Sequence, residues 1–224
     1  MKLLDVACGT GVVALTASRL GVEVEGIDLT PELIIRAIEN SKIMGLKAKF
    51  IEGDAEFLPY KENEFDVVLS QYGHMFAPRP AVVVKELARV LKPGGILAFS
   101  TWPKELFMGK FFKLIESFSQ PLPPGVASPV LWGDMAVIEE RLKDHFNQIE
   151  FGRDTMFAPT MSPAHMLKLF EKNAGPLANL VKALADDPTK LKNLRNAVLE
   201  LIENFFSDNF LRQDFLMTRC VKKT

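Results

Sequence analysis

The run Leu3-Leu4-Asp5-Val6-Ala7-Cys8-Gly9-Thr10-Gly11 constrains this chain more than any other stretch. A short apolar strand feeds a glycine turn, and helical residues from Val12 to Leu20 follow. Gly9 and Gly11 place no side chain at the bend, so backbone can come very close to a ligand at the carboxyl end of a sheet. A second strand, Val22–Ile27, ends at Asp28, where a carboxylate can accept hydrogen bonds from both hydroxyls of a ribose.

The remaining periodicity fits an α/β layout. Thr30 reads as an N-cap with Pro31 at the first helical position, and the helix runs to about Met44, where Gly45 suits its end. Ala48–Ile51 and Phe65–Ser70 read as the third and fourth strands. In the helix Ala81–Leu91, Val84, Leu87, Ala88 and Leu91 share one face. Pro93-Gly94-Gly95 should stop that helix before a fifth strand, Ile96–Trp102. Val- and Ile-rich strands separated by helices predict a parallel sheet covered on both faces. The second half reads as a Phe-rich helix (106–118), a Pro-rich loop, a helix from Ala136 to Phe146, a strand Ile149–Phe157, three helices (163–173, 176–185, 190–206) and a last strand Phe215–Val221.

Gly9-x-Gly11-x-x-Ala14 also fits a dinucleotide fingerprint, so the turn alone leaves an NAD(P)-linked oxidoreductase open. Asp5 argues against it, since a carboxylate just before the turn suits a cationic amino-acid ligand and not a pyrophosphate. Gly53-Asp54-Ala55 adds a second acidic point after the third strand, where Asp54 can accept from an adenine amino group.

Taken in order, Asp5–Gly11, Asp28, Gly53-Asp54-Ala55, Phe65-Asp66-Val67-Val68 and Leu91-Lys92-Pro93-Gly94-Gly95 resemble the motifs of class I S-adenosylmethionine (SAM)-dependent methyltransferases. The group they are most similar to is the ubiquinone/menaquinone-type (methyltransferase type 11) enzymes. The resemblance spans roughly the first hundred residues. It implies a Rossmann-like α/β fold: a seven-stranded, mostly parallel sheet of order 3-2-1-4-5-7-6, the last strand antiparallel, helices on both faces, and helical insertions forming a cap. Residues 1–224 are then a single methyltransferase domain, with a SAM-binding half (1–103) and cap insertions at 104–135 and 158–209. Such relatives carry a helix ahead of the first strand. This sequence opens directly on that strand, and a coding start upstream of Met1 is the expected explanation.

The resemblance also implies site roles for SAM and its product S-adenosylhomocysteine. Asp5 should lie near the amino group, and Ala7, Cys8, Gly9, Thr10 and Gly11 form the turn, with Ala7 and Gly9 meeting the methionine part through backbone atoms. Asp28 should hold the ribose, Leu29 should cover one adenine face, and Asp54 with Ala55 should meet the adenine edge. Ser70 and Gln71 should border the methionine moiety.

Methyl transfer is a direct displacement, in which alignment and exclusion of water do most of the work. The segment Gln71–Pro78 leaves the fourth strand facing the methyl position. Within it His74 is the general-base candidate, because its ordinary pKa lies near neutrality, and Tyr72 is a candidate to orient the acceptor. A lone loop histidine is more often a hydrogen-bonded anchor than a base. His145 and His165 lie in helical contexts away from the motifs. With three histidines and two distant cysteines, no metal site is expected.

A formal charge of -1 gives no surface built to collect phosphates, so no nucleic-acid partner is expected. No apolar run reaches the roughly 20 residues of a membrane span, and unpaired cysteines fit a reducing cytoplasm. The expected partners are a small-molecule methyl acceptor, partly hydrophobic in view of 17 Phe, and at most a second copy as a homodimer. A SAM-binding protein without catalysis stays open as an alternative.

Overall fold

The computed structural model describes all residues from Met1 to Thr224. Its elements are β1 (Lys2–Val6), α1 (Val12–Arg19), β2 (Glu23–Asp28), α2 (Pro31–Ile43), β3 (Ala48–Glu52), β4 (Phe65–Gln71), α3 (Pro80–Val90), β5 (Leu91–Thr101), α4 (Phe107–Phe118), α5 (Met135–Leu142), β6 (Phe146–Pro159), α6 (Pro163–Asn173), α7 (Gly175–Ala183), α8 (Pro188–Glu203), β7 (Phe206–Ser207) and β8 (Phe210–Lys222). The sheet order is β3-β2-β1-β4-β5-β8-β6, and β7 pairs with β8 outside this path. The strands from β1 to β5 pair in parallel. β8 runs antiparallel to β5, with Ile96 opposite Val221 and Thr101 opposite Leu216. This is the expected Rossmann-like order, with one two-residue strand added.

Backbone contacts divide the chain into two compact units, one of residues 1–101, 125–152 and 216–224, the other of residues 102–124 and 153–215. In the first unit, Leu3, Ala14, Leu15, Val24, Ile34, Ala37 and Phe50 form a core joining α1 and α2 to strands β1–β3. Gly11 (φ 85°) is indispensable there, because a Cβ would stand 2.9 Å from the Phe50 ring and 3.2 Å from Ala37 Cβ. α3 buries Val83, Val84, Leu87, Ala88 and Val90. In the second unit, Phe107 of α4 packs against Phe170 (5.9 Å between ring centroids) and Phe205 (5.6 Å). α8 buries Leu194, Val198 and Ile202 along one stripe, and Arg195 on the outer side pairs with Glu171 at 2.7 Å.

Several expected boundaries move. α3 ends at Val90, and Leu91 is already extended (φ −73°, ψ 142°), opposite Phe65 of β4. Pro93 disfavours helical backbone at Lys92, so the helix ends before the Pro-Gly-Gly turn and Leu91 is a buried strand residue. α5 stops at Leu142, and Phe146 begins β6. β8 starts five residues earlier than its apolar run suggests, because β7 pairs with Phe210 and Leu211. Thr30 holds the N-cap position of α2 without a side-chain bond; its N–H donates instead to Asp28 Oδ1 at 2.9 Å. No helix is long and apolar enough to cross a membrane.

Candidate active site

A cavity of about 620 Å³ opens in the first unit where the carboxyl ends of β1–β4 meet. Each strand brings its following loop: Ala7 and Gly9 after β1, Asp28–Thr30 at the end of β2, Gly53–Glu56 after β3, and Gln71–Gly73 at the end of β4. Leu33, Phe76, Ala77 and Pro78 complete an apolar side.

The glycine turn is held from several directions. The Gly9 N–H donates to Asp28 Oδ2 at 2.8 Å, so one carboxylate ties β1's turn to the start of α2. Asn40 Nδ2 donates to the Thr10 carbonyl at 3.0 Å. Ala7 (φ 54°) and Tyr72 (φ 61°) end adjacent strands in left-handed backbone, which costs a residue with a Cβ roughly 1–2 kcal/mol. Backbone held in this state on a cavity wall marks a site where local geometry serves function. Between them Gly73 is fixed in identity, since a Cβ there would lie 2.3 Å from Ala7 Cβ and 2.8 Å from its carbonyl oxygen.

Asp5 sits behind the turn, 1% exposed. Its Oδ2 accepts from the Ala14 N–H at 3.0 Å, supplying α1 with the carboxylate cap that Gly11 cannot. Its Oδ1 is buried with no hydrogen-bond partner. Burial first, then the negative charge of Asp28, pushes the Asp5 carboxyl up to about 7. Asp54 Oδ1 accepts from the Glu56 N–H at 2.8 Å, and Glu56 pairs with Arg79. Farther along this loop, Arg89 donates to the Leu58 and Tyr60 carbonyls and Glu86 accepts from the Leu58 N–H.

Of the residues picked from sequence, Ala7, Gly9, Asp28, Leu29, Asp54, Ala55, Gln71 and Tyr72 line one cavity. Asp5, Cys8, Thr10, Gly11 and Ser70 stand behind it as support; Ser70 Oγ accepts from the His74 N–H at 3.1 Å. His74 has to be reassigned. Its ring is 1% exposed and does not line the cavity. It is wedged between Phe99 (4.5 Å) and Trp132 (4.6 Å), and both ring nitrogens lack partners. Burial, then the Arg141 charge, pulls its pKa down to about 3, so the ring stays neutral and out of reach as a base. Tyr72 lines the cavity, with its hydroxyl bonded to Ser100 and its pKa raised by burial to about 12. Sequence reasoning missed Thr30, Leu33, Glu56 and Gly73 as lining residues. For Leu33 the three-residue helical step from Thr30 was the available signal. His165 is tied to Thr160 at 2.9 Å in the second unit. No cluster of His, Cys, Asp and Glu able to hold a metal ion is present.

The ordered motifs and the sheet order meet in comparisons with known proteins. Residues 4–99 match the family model of a methyltransferase domain. An uncharacterised protein of Mycobacterium tuberculosis is 34% identical over 217 residues, covering 96% of this chain and 79% of that protein. The chain belongs to the class I SAM-dependent methyltransferase family. The demethylmenaquinone methyltransferase of Staphylococcus aureus is 40% identical over 100 residues, 43% of this chain and 41% of that enzyme. A putative methyltransferase from Bacillus halodurans shares the fold at a TM-score of 0.65 with 19% identity, covering 100% of this chain and 93% of that one. The family model thus covers residues 4–99, the named quinone enzyme matches 43% of the chain, and the sequence match across 96% of it is to an uncharacterised protein.

Proposed function

We propose that the cavity binds SAM and that the chain transfers its methyl group to a small, partly hydrophobic acceptor. One observation carries the cofactor reading. The lining holds Asp28 and Asp54, with the Glu56 carboxylate already paired to Arg79, and no Lys, Arg or His side chain, at a bend where Gly9 has open space in place of a Cβ. Such a lining favours a cationic nucleoside and disfavours the pyrophosphate of a dinucleotide. Ala7, Gly9, Gln71 and Tyr72 would hold the methionine part, Asp28 the ribose, and Leu29, Asp54 and Ala55 the adenine. Each Asp28 oxygen already accepts one backbone N–H and has a further lone pair for a hydroxyl.

SAM bound there would supply an electrophilic methyl group, with a neutral thioether as its leaving group. The chain's own share is alignment and exclusion of water. Tyr72, protonated throughout the neutral range, orients as a hydrogen-bond donor. No lining side chain is a base that titrates near neutrality, so the cavity fits an acceptor that is already nucleophilic or itself acidic. Leu33, Phe76, Ala77 and Pro78 give it an apolar surface to lie against.

Thermal shift tests the cofactor. SAM and S-adenosylhomocysteine at about a hundred times Kd are each expected to raise Tm by about 5–10 °C, and NAD not at all. Stabilisation by NAD alone overturns the reading. Radiolabelled methyl transfer to a panel of phenols, hydroquinones and small amines then tests catalysis, and binding without transfer to any of them favours a non-catalytic role.

A further inference from the structure

We propose that Glu56 and Arg79 form a latch that sets the width of this cavity, making both of them positioning residues for the cofactor. The proposal rests on the SAM reading of the same cavity. Glu56 belongs to the wall that follows β3, and Pro78, next to Arg79, belongs to the wall that follows β4. The Glu56 side chain is only 4% exposed, and its carboxylate is turned onto the opposite wall. Oε1 accepts from the Arg79 backbone N–H at 2.6 Å, and Oε2 accepts from Arg79 Nε at 2.7 Å and from Nη2. A forked guanidinium plus a backbone donor on one carboxylate fixes direction as well as distance.

The surroundings give this pair leverage. The far end of the β3 loop is already pinned by Glu86 and Arg89 at Leu58 and Tyr60. The Pro78 carbonyl accepts from the Ala127 N–H at 3.1 Å, which anchors the other wall. Glu56 and Arg79 add a tie between the two walls on the cavity side of these anchors. Asp54 is coupled to them, because its carboxylate accepts from the Glu56 N–H. Opening the latch lets the walls part, and apparent affinity falls by the fraction of time they are closed. Arg79 is 64% exposed, so salt reaches the pair and weakens it. Cofactor affinity should thus carry a salt dependence that originates in the protein, even for a ligand without a sulfonium.

S-adenosylhomocysteine is that probe, titrated calorimetrically into wild type and into the double variant Glu56→Gln/Arg79→Gln, whose fold is checked by circular dichroism. At about 50 mM salt the double variant is expected to bind about fivefold more weakly. Raising salt to about 500 mM should bring wild type toward the variant, while the variant stays flat. A role in stability alone would move Tm and leave both affinity and its salt response unchanged, and that result overturns the latch. If the double variant does not fold, Arg79→Gln on the exposed partner is read in the same way. Failure of wild type to bind the probe overturns the SAM reading and the latch together.

Discussion

Asp5 offers the sharpest test of how this site is built. Its Oδ2 caps α1 through Ala14, its Oδ1 has no partner, and burial moves its pKa from 3.8 to about 7. Between those two values the folded protein holds a proton that the unfolded chain has lost. Stability conferred by the protonated form is therefore fully present below pH 4 and is lost as pH rises to 7. The gap between 3.8 and about 7 is worth about 4 kcal/mol by linkage. Asp5→Asn keeps an acceptor for the Ala14 N–H and cannot ionise. Urea unfolding at fixed pH should find the two proteins alike near pH 4. The variant should then gain on wild type until it is about 4 kcal/mol more stable at pH 8. Curves that run parallel across this range refute the reasoning. In the same variant, S-adenosylhomocysteine affinity should fall about tenfold if Asp5 also serves the amino-group end. Unchanged affinity would leave it as the cap of α1 alone.

Two further substitutions separate packing from chemistry. Gly73→Ala pushes a methyl into Ala7 and should cost about 1–3 kcal/mol in urea unfolding, with cofactor binding reduced in parallel; a variant as stable as wild type removes the close approach from the account. His74→Phe deletes two unpaired buried nitrogens and should leave stability unchanged or raise it by about 1 kcal/mol, with methyl transfer retained and no inflection near pH 6–7 lost. A hundredfold fall in turnover would restore His74 as a base.

What was legible in the sequence follows from where each signal resides. The order β1 to β5 is written locally, since apolar strands separated by amphipathic helices, with one direct connection from β3 to β4, leave few topologies. Local reading failed where a neighbour decides. Leu91 carries a helical spacing, yet pairing with Phe65 and the restriction imposed by Pro93 make it a strand residue. β8 extends back to Phe210 only because β7 lies there to pair with it.

The site divides along the same line. Ala7, Gly9, Asp28, Asp54 and Gln71 converge because a parallel sheet brings the carboxyl ends of its strands to one edge, so strand ends found from periodicity are cavity residues by construction. His74 and Glu56 depend on facts that no local pattern encodes. The sequence shows a histidine beside the cavity; only the placement of Phe99 and Trp132 shows that its ring is turned away and held neutral. Glu56 reads as one more surface acid until Arg79, 23 residues on, is seen to close on it. Backbone-built parts of such a site are therefore predictable from order and spacing, whereas side-chain roles are set by burial. For this chain the consequence is specific: the elements that would hold SAM follow from the motifs, whereas the roles of His74, Glu56 and Arg79 come from packing that only the tertiary structure defines.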